Sequence, residues 1–423
     1  MPDYRKKKHN KLFSAPKPKK PLKAEKSENI KMTPAEHYRK TAKQNMKVVR
    51  GKKTEQKRRL RATLCAILII AVVFSVFEFI LPKGVFETVS QTISLMGTGS
   101  YPVSLEGNRT LNTANKGNYY YVLSDTHLTA VSSAGKTVFS YPHGFENPIL
   151  KTSVSNAIVF EQNGNRAFVF NLNGLKNEIT TKTNIITAAI SEKGNYAICS
   201  KSDKYACKVT VFNKQGKQIY EWYSAENIVN NIALSKNGKK LAVSSFKSEN
   251  GQFKSTLSIL NYKSATPLYT ENFDNGLIYS LDNSKNRLAV VTENSVKFIK
   301  WSSFKANEYK SDFKIALFRS EKNGFVVVFN RLNDKTANHI VLFSNSGKVK
   351  YKFDFTGVIS DIALSGSHTY LMSETDLYLL GNEGEILRKA NCDFGAVRIS
   401  VTSSNTVAVI SDNSINKYKL EQE

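Results

Sequence analysis

The sequence predicts an all-β protein, a β-propeller of eight four-stranded blades, behind one membrane-spanning helix and a basic tail. Three observations predict it. The run Ile-Ala-Leu-Ser, then a polar turn, then an apolar run, occurs at 232–235 and again at 362–365. Polar turns of that kind begin at 115, 153, 191, 235, 282, 320, 365 and 403, a mean spacing of about 41 residues. A second ladder of turns alternates with the first.

Each turn of the first ladder leads into a short β-branched or aromatic run: NYYYVLS, NAIVFEQ, NYAICS, KKLAVSS, RLAVVT, GFVVVF, TYLMS and TVAVIS. Such runs, bounded by turn formers, read as strands. The second ladder comprises SSAG (132–135), NLNG (171–174), NKQG (213–216), SNSG (344–347) and GNEG (381–384), each with Gly in fourth place. Glycine there suits a turn that needs positive φ. NYKS (261–264) and WSSF (301–304) hold the same place without Gly. Each unit therefore reads as four antiparallel strands in about 40 residues, which is one propeller blade. The last unit, AVRISVT, TVAVIS, SINKYKL, has three strands, and YPVSL (101–105) is a spare strand that supplies its fourth. Eight blades fit this count, and seven would follow if the first or last unit were misassigned. Two stacked β-sandwiches are the alternative architecture; a helical solenoid is excluded by the lack of helical periodicity.

The 423 residues carry a net charge of +26, unevenly spread. Residues 1–61 hold 22 Lys/Arg against 5 Asp/Glu. Their stretch PKPKKPLKAEKSEN is almost without apolar residues and reads as a disordered cytoplasmic tail. Residues 34–61 suit a basic helix leading to the membrane. Residues 62–81, ATLCAILIIAVVFSVFEFIL, have a single ionisable group, Glu78. As a helix they span roughly 30 Å, the thickness of a bilayer core. The basic cluster Lys52, Lys53, Lys57, Arg58, Arg59 and Arg61 lies just before them, so the positive-inside rule puts the tail in the cytoplasm and the C-terminal body outside. A cleaved signal peptide would have a shorter charged region and an A-x-A site. Residues 82–99 read as a stalk and 100–423 as the propeller ectodomain.

This layout, with the entry segment GTGSYPVSL (97–105), resembles an uncharacterised family of Gram-positive single-span membrane proteins. Those proteins carry a β-propeller-like exterior domain of the WD40 or quinoprotein kind. The resemblance implies a propeller and a cell-membrane location, and no activity.

Candidate functional residues are few. Cys199 and Cys207 flank SKSDKYA, and a hairpin centred on Asp203 would set them opposite one another. An exterior disulfide and two buried thiols are both open readings. Cys65 falls in the span and Cys392 reads as a small buried hydrophobe. No metal, cofactor or catalytic set is read: G-x-S-x-G, a P-loop, H-E-x-x-H and CxxC are absent, and the six His are scattered. Every connection from second to third strand carries an acid: Asp125, Glu161, Asp203, Glu249, Glu293, Asp334, Glu374 and Asp412. Turn acids often serve only their own backbone. A ring of them on one face, opposite lysine-rich turns on the other, would instead make a polarised disc.

The expected partners are anionic lipid head groups for the tail and a protein or cell-wall glycan for the propeller. Nucleic acid is disfavoured, because the basic run lacks interleaved aromatics and any known module. The functional expectation is a membrane-anchored, non-catalytic binding platform at the cell envelope. The alternative is an envelope enzyme, a quinoprotein-like oxidoreductase or a polysaccharide hydrolase or lyase, with its site at the channel mouth.

Overall fold

In the computed structural model, the described residues are 99–422 apart from 116–118, 274–275, 285, 322–323, 332–333 and 367, with Thr33, Ala35, Glu36, Tyr38, Arg39 and Ala42 of the tail. The expected span 62–81, the basic cluster before it and nearly all of the stalk lie outside the described residues. In the tail, the Glu36 carboxylate accepts from the N–H and hydroxyl of Thr33, and the described residues from Ala35 to Ala42 are helical. That is one half of a capping box, at the start of the stretch expected to be a basic helix.

The second strand of each blade is apolar along its whole length because both of its faces are covered. In Tyr119–Ser124, Tyr121 and Leu123 enter a cluster shared with the second blade. Their neighbours Tyr120 and Val122 enter a cluster shared with the last blade. The same division recurs around the ring and yields eight clusters, one at each junction between blades. Each fully buried Val, Leu or Phe in them contributes about 1.5–3 kcal/mol by removal from water. Outer strands have only one covered face and alternate instead, as Ala306–Lys310 does.

The strands form eight four-stranded antiparallel sheets. Inner strands are Thr110–Asn115, Pro148–Thr152, Ile185–Ile190, Ile228–Leu234, Ser280–Ser284, Lys314–Glu321, Asp361–Ser365 and Arg398–Ser403. Both copies of Ile-Ala-Leu-Ser therefore begin within inner strands. The last sheet takes its fourth strand from the other end of the chain: Val103 lies opposite Ile415, Ser104 opposite Ser414, and Leu105 N–H donates to the Asn413 carbonyl at 2.9 Å. Val103, Leu105 and Ile415 are buried with Tyr120 and Val122 of the first blade, so this short strand also seals the last junction. Val103–Ser104 is then the short outer edge strand of that blade.

Antiparallel order puts two sets of connections on each face. The lower face carries the turns from first to second and from third to fourth strand. The upper face carries those from second to third strand and the links between blades. On the lower face, Gly347 (φ 73) and Gly384 (φ 88) take the left-handed conformation expected of the second ladder. In WSSF, Phe304 takes it instead (φ 59), held by stacking on Tyr269 at 5.3 Å and by the Lys240 ammonium 4.6 Å from its ring. These turns also bond to the next blade. The Tyr121 hydroxyl donates to Ser155 O, the Asn156 amide to Ser191 O and Glu192 O, the Asn195 amide to Gly238 O, and the Tyr370 hydroxyl to Ser404 O.

Candidate functional site

Two parts of the ring have chemistry beyond its own assembly: the central channel and the upper face.

All eight inner strands line the channel, a cavity of about 260 Å³. Small residues such as Ala188, Ala233, Ser280 and Ser400 face it and keep it open. Asp361 is buried at the start of its strand and ties three blades together. One carboxylate oxygen accepts from Nε and Nη2 of Arg319 in the sixth blade, and the other accepts from Ile399 N–H of the eighth at 2.9 Å. Arg398 stands beside this group and donates to the adjacent Val397 carbonyl at 2.9 Å. Burial pulls its guanidinium below the usual range, Arg319 adds to that, and Asp361 opposes it. Lys151 projects from the second blade. Burial lowers its ammonium, and Asp282 of the fifth blade partly restores it. Asp282 accepts from Asn283 N–H at 2.6 Å, while Asn283 is fixed by the Trp301 indole N–H and its own bond to Leu234 O. Glu192 sits at the lower mouth and pairs with Lys236 at 3.1 Å. None of Lys151, Asp282, Arg319, Asp361 and Arg398 was singled out by the sequence. Their signal was a charged residue inside an inner strand, visible only once the blades are aligned.

The eight acids expected on one face do occupy the second-to-third connections or the strand ends beside them. Most are bound to local donors. Asp125 accepts from Asn108 N–H at 2.9 Å, Glu161 from Asn147 N–H at 2.8 Å, and Asp412 from Thr110 N–H at 3.0 Å. Asp334 closes its own turn through Thr336 N–H. Glu249 pairs with Lys247 and Lys254, and Glu293 with Lys314. Lys201, Lys204 and Lys335 lie on the same connections, so both signs occur on this face. Lys136, Lys193, Lys214, Lys217, Lys236, Lys239 and Lys348 occupy the lower turns or their edges. Lys116, Lys285 and Lys322 are outside the described residues.

Cys199 and Cys207 are both buried and both free thiols. The register corrects the geometry expected from the sequence: Cys199 lies opposite Val209, and Ser200 opposite Lys208, so Cys207 is offset diagonally. The hydrogen bond between the two sulfurs raises Cys199 and lowers Cys207. Cys392 is buried between the seventh and eighth blades.

The upper face also exposes large apolar side chains. Tyr205 and Tyr223 pack together at 4.9 Å in the third blade. Ile228 and Phe253 follow in the fourth, Phe253 edge-on to Phe246 on a long hairpin, Lys240–Glu249 with Gln252–Asn261. Tyr279 stands on the link to the fifth blade. Val358 and Phe394, the latter 95% exposed, lie farther round the ring. The lower turns and the strand ends beside them expose Val154, Ile219, Leu268, Val349, Ile386 and Leu387 among the described residues, spread singly or in pairs around the ring.

Solved structures of other proteins align with this chain. The computationally designed Ika8 protein aligns with a TM-score of 0.53 at 14% identity, over 76% of this chain and 100% of that one. Dihydro-heme d1 dehydrogenase NirN, in complex with DHE, aligns with a TM-score of 0.50 at 11% identity, over 74% of each chain. BamB from Moraxella catarrhalis aligns at 0.45 and 11% identity, over 75% of this chain and 99% of that one. At such identities the likeness shows the fold alone. No curated protein matches the sequence. Residues 100–420 match a family of unknown function, DUF5711, and the chain belongs to that family.

Proposed function

We propose that this protein is a non-catalytic binding platform, anchored in the cell membrane by residues 62–81, with its basic tail in the cytoplasm and its propeller outside. The observation that carries the binding role is the row Tyr205, Tyr223, Ile228, Phe253 and Tyr279, exposed over three adjoining blades of the upper face. Tyr and Phe are enriched where proteins bind one another, and exposed apolar clusters mark such surfaces. They also stack on sugar rings, so a protein or a cell-wall glycan suits this face. The anchor rests on the apolar run and the basic cluster before it, which also suits anionic lipid head groups.

A protein carrying Tyr205→Ser, Phe253→Ser and Tyr279→Ser tests the reading. These side chains are exposed, so the fold should remain intact while crosslinked partners or bound wall polymer are lost. Unchanged capture would reject the upper face as the binding surface. Protease digestion of intact cells tests the topology: the propeller should be cut and the tail protected.

The second reading, an envelope enzyme working at the channel mouth, draws on the cluster of Arg319, Asp361 and Arg398. Asp361 already accepts hydrogen bonds on both oxygens, which leaves it poorly placed to act as a base.

A further inference from the structure

The channel is lined by three cations, Lys151, Arg319 and Arg398, and four carboxylates, Glu192, Asp282, Glu321 and Asp361, but the cations are not matched alike. Arg319 is matched by Asp361 through two N–H donors on one oxygen. Arg398 has a bond to the carbonyl beside it and a like charge as neighbour. The Lys151 ammonium makes no hydrogen bond among the described residues, although Asp282 acts on it from across the channel. A cation withdrawn from water and left short of acceptors is costly. A ring needing only to fill its centre would place apolar or paired groups there. Two under-partnered cations facing one cavity are the arrangement that charge-assisted bonds to an anion would complete.

We propose that the central channel binds a small oxyanion-bearing ligand, a carboxylate or a phosphate, held by Arg398 and Lys151. Arg319 and Asp361 position Arg398, and Asp282 gives a second polar contact for a donor on the same ligand. The cavity, at about 260 Å³, lies just below the usual range of small-molecule sites, about 300–1,000 Å³. That suits a compact metabolite rather than a large cofactor. This site is separate from the upper face, so its failure would leave the binding-platform reading intact.

Titration calorimetry and thermal unfolding of the full-length protein, with inorganic phosphate in one arm and succinate in the other at constant chloride, test it. One arm should saturate at one ligand per chain and raise the unfolding temperature, and that arm identifies the oxyanion. Arg398→Gln and Lys151→Met should each weaken binding at least about tenfold, the effect of losing a charge-assisted bond. Lys214→Gln, on the lower face, should not. Lys151→Met keeps the fold readable, because an apolar isostere of a half-buried, under-partnered cation is often neutral or stabilising. It should raise the unfolding temperature without ligand and abolish the further rise with ligand. If Arg398→Gln does not fold, Lys151→Met alone decides. No saturation in either arm up to about 10 mM, or binding unchanged in Lys151→Met, would overturn the proposal.

Discussion

The lower turns and the upper face terminate the same strands, yet they are built by different rules. Below, most third-to-fourth turns repeat one form, with Gly347, Gly384 and their counterparts in the left-handed conformation and side-chain amides and hydroxyls bonded to the next blade, and the turn at 262–268 is the longer exception. Above, connections vary from the two-residue turn at Asn250–Gly251 to the longer link at 201–206, and the acids at their ends bind whichever donor is near. The lower side fixes how blades meet. The upper side is held less uniformly, and its variety leaves room for Tyr205, Phe253 and Tyr279 to face solvent.

The largest test of this contrast is Gly347→Val. Gly347 has φ 73, and an added Cβ would lie 2.4 Å from the Phe298 side chain in the core between the fifth and sixth blades. Backbone strain of about 1–3 kcal/mol and overpacking of similar size combine, so a loss of about 3 kcal/mol or more is expected in urea unfolding. A loss under about 1 kcal/mol would mean that the lower turns adapt as freely as the upper ones.

Asn156→Ala comes next. Its amide donates to Ser191 O and Glu192 O across a junction, and the residue is buried. Glu192 O would lose this donor while Ser191 O keeps Gly194 N–H and the Ser153 hydroxyl, so the loss should be about 1 kcal/mol. The same measurement on the exposed upper residue Tyr279 should change stability by less than about 0.5 kcal/mol.

Phe304→Gly sharpens the comparison within the lower side. Glycine relieves the φ of 59 but loses the stacking on Tyr269 and the contact with Lys240. Strain relief and an aromatic pair are each about 1 kcal/mol, so the net change should stay within about 1 kcal/mol. A large loss would show that packing, and not the turn conformation, governs this blade.

The contrast also explains what could be read from the chain. Blade count, strand order and the closing strand were legible because most third-to-fourth turns restate one backbone requirement, and each second strand is buried on both faces. Phe304 could not be foreseen as the stand-in for glycine, since only its packing permits that conformation. The channel residues were obscured for another reason. Arg319, Asp361 and Arg398 belong to three blades and meet only when the ring closes. Spacing along the chain carries no trace of that meeting. For Cys199 and Cys207 the spacing was informative but the register was not, because the longer upper link offsets the two strands.

The smallest effect belongs to the upper face. Glu249 is partly exposed, and hydrogen bonds from Lys247 and then Lys254 hold its carboxyl down to about 2, from the ordinary 4.5. A lowered folded value means that this pair stabilises the protein above the unfolded value and loses the benefit as pH falls toward 2. Because the group is solvated and salt screens it, the gain in stability should be too small to move a urea midpoint at neutral pH. The titration itself is the sensitive readout. NMR of the Glu249 carboxyl should give a midpoint near 2 at low salt, rising toward the ordinary value in Lys247→Met and in high salt. A midpoint that ignores both changes would mean that this hairpin is fixed by more than its surface charges, as the lower turns are.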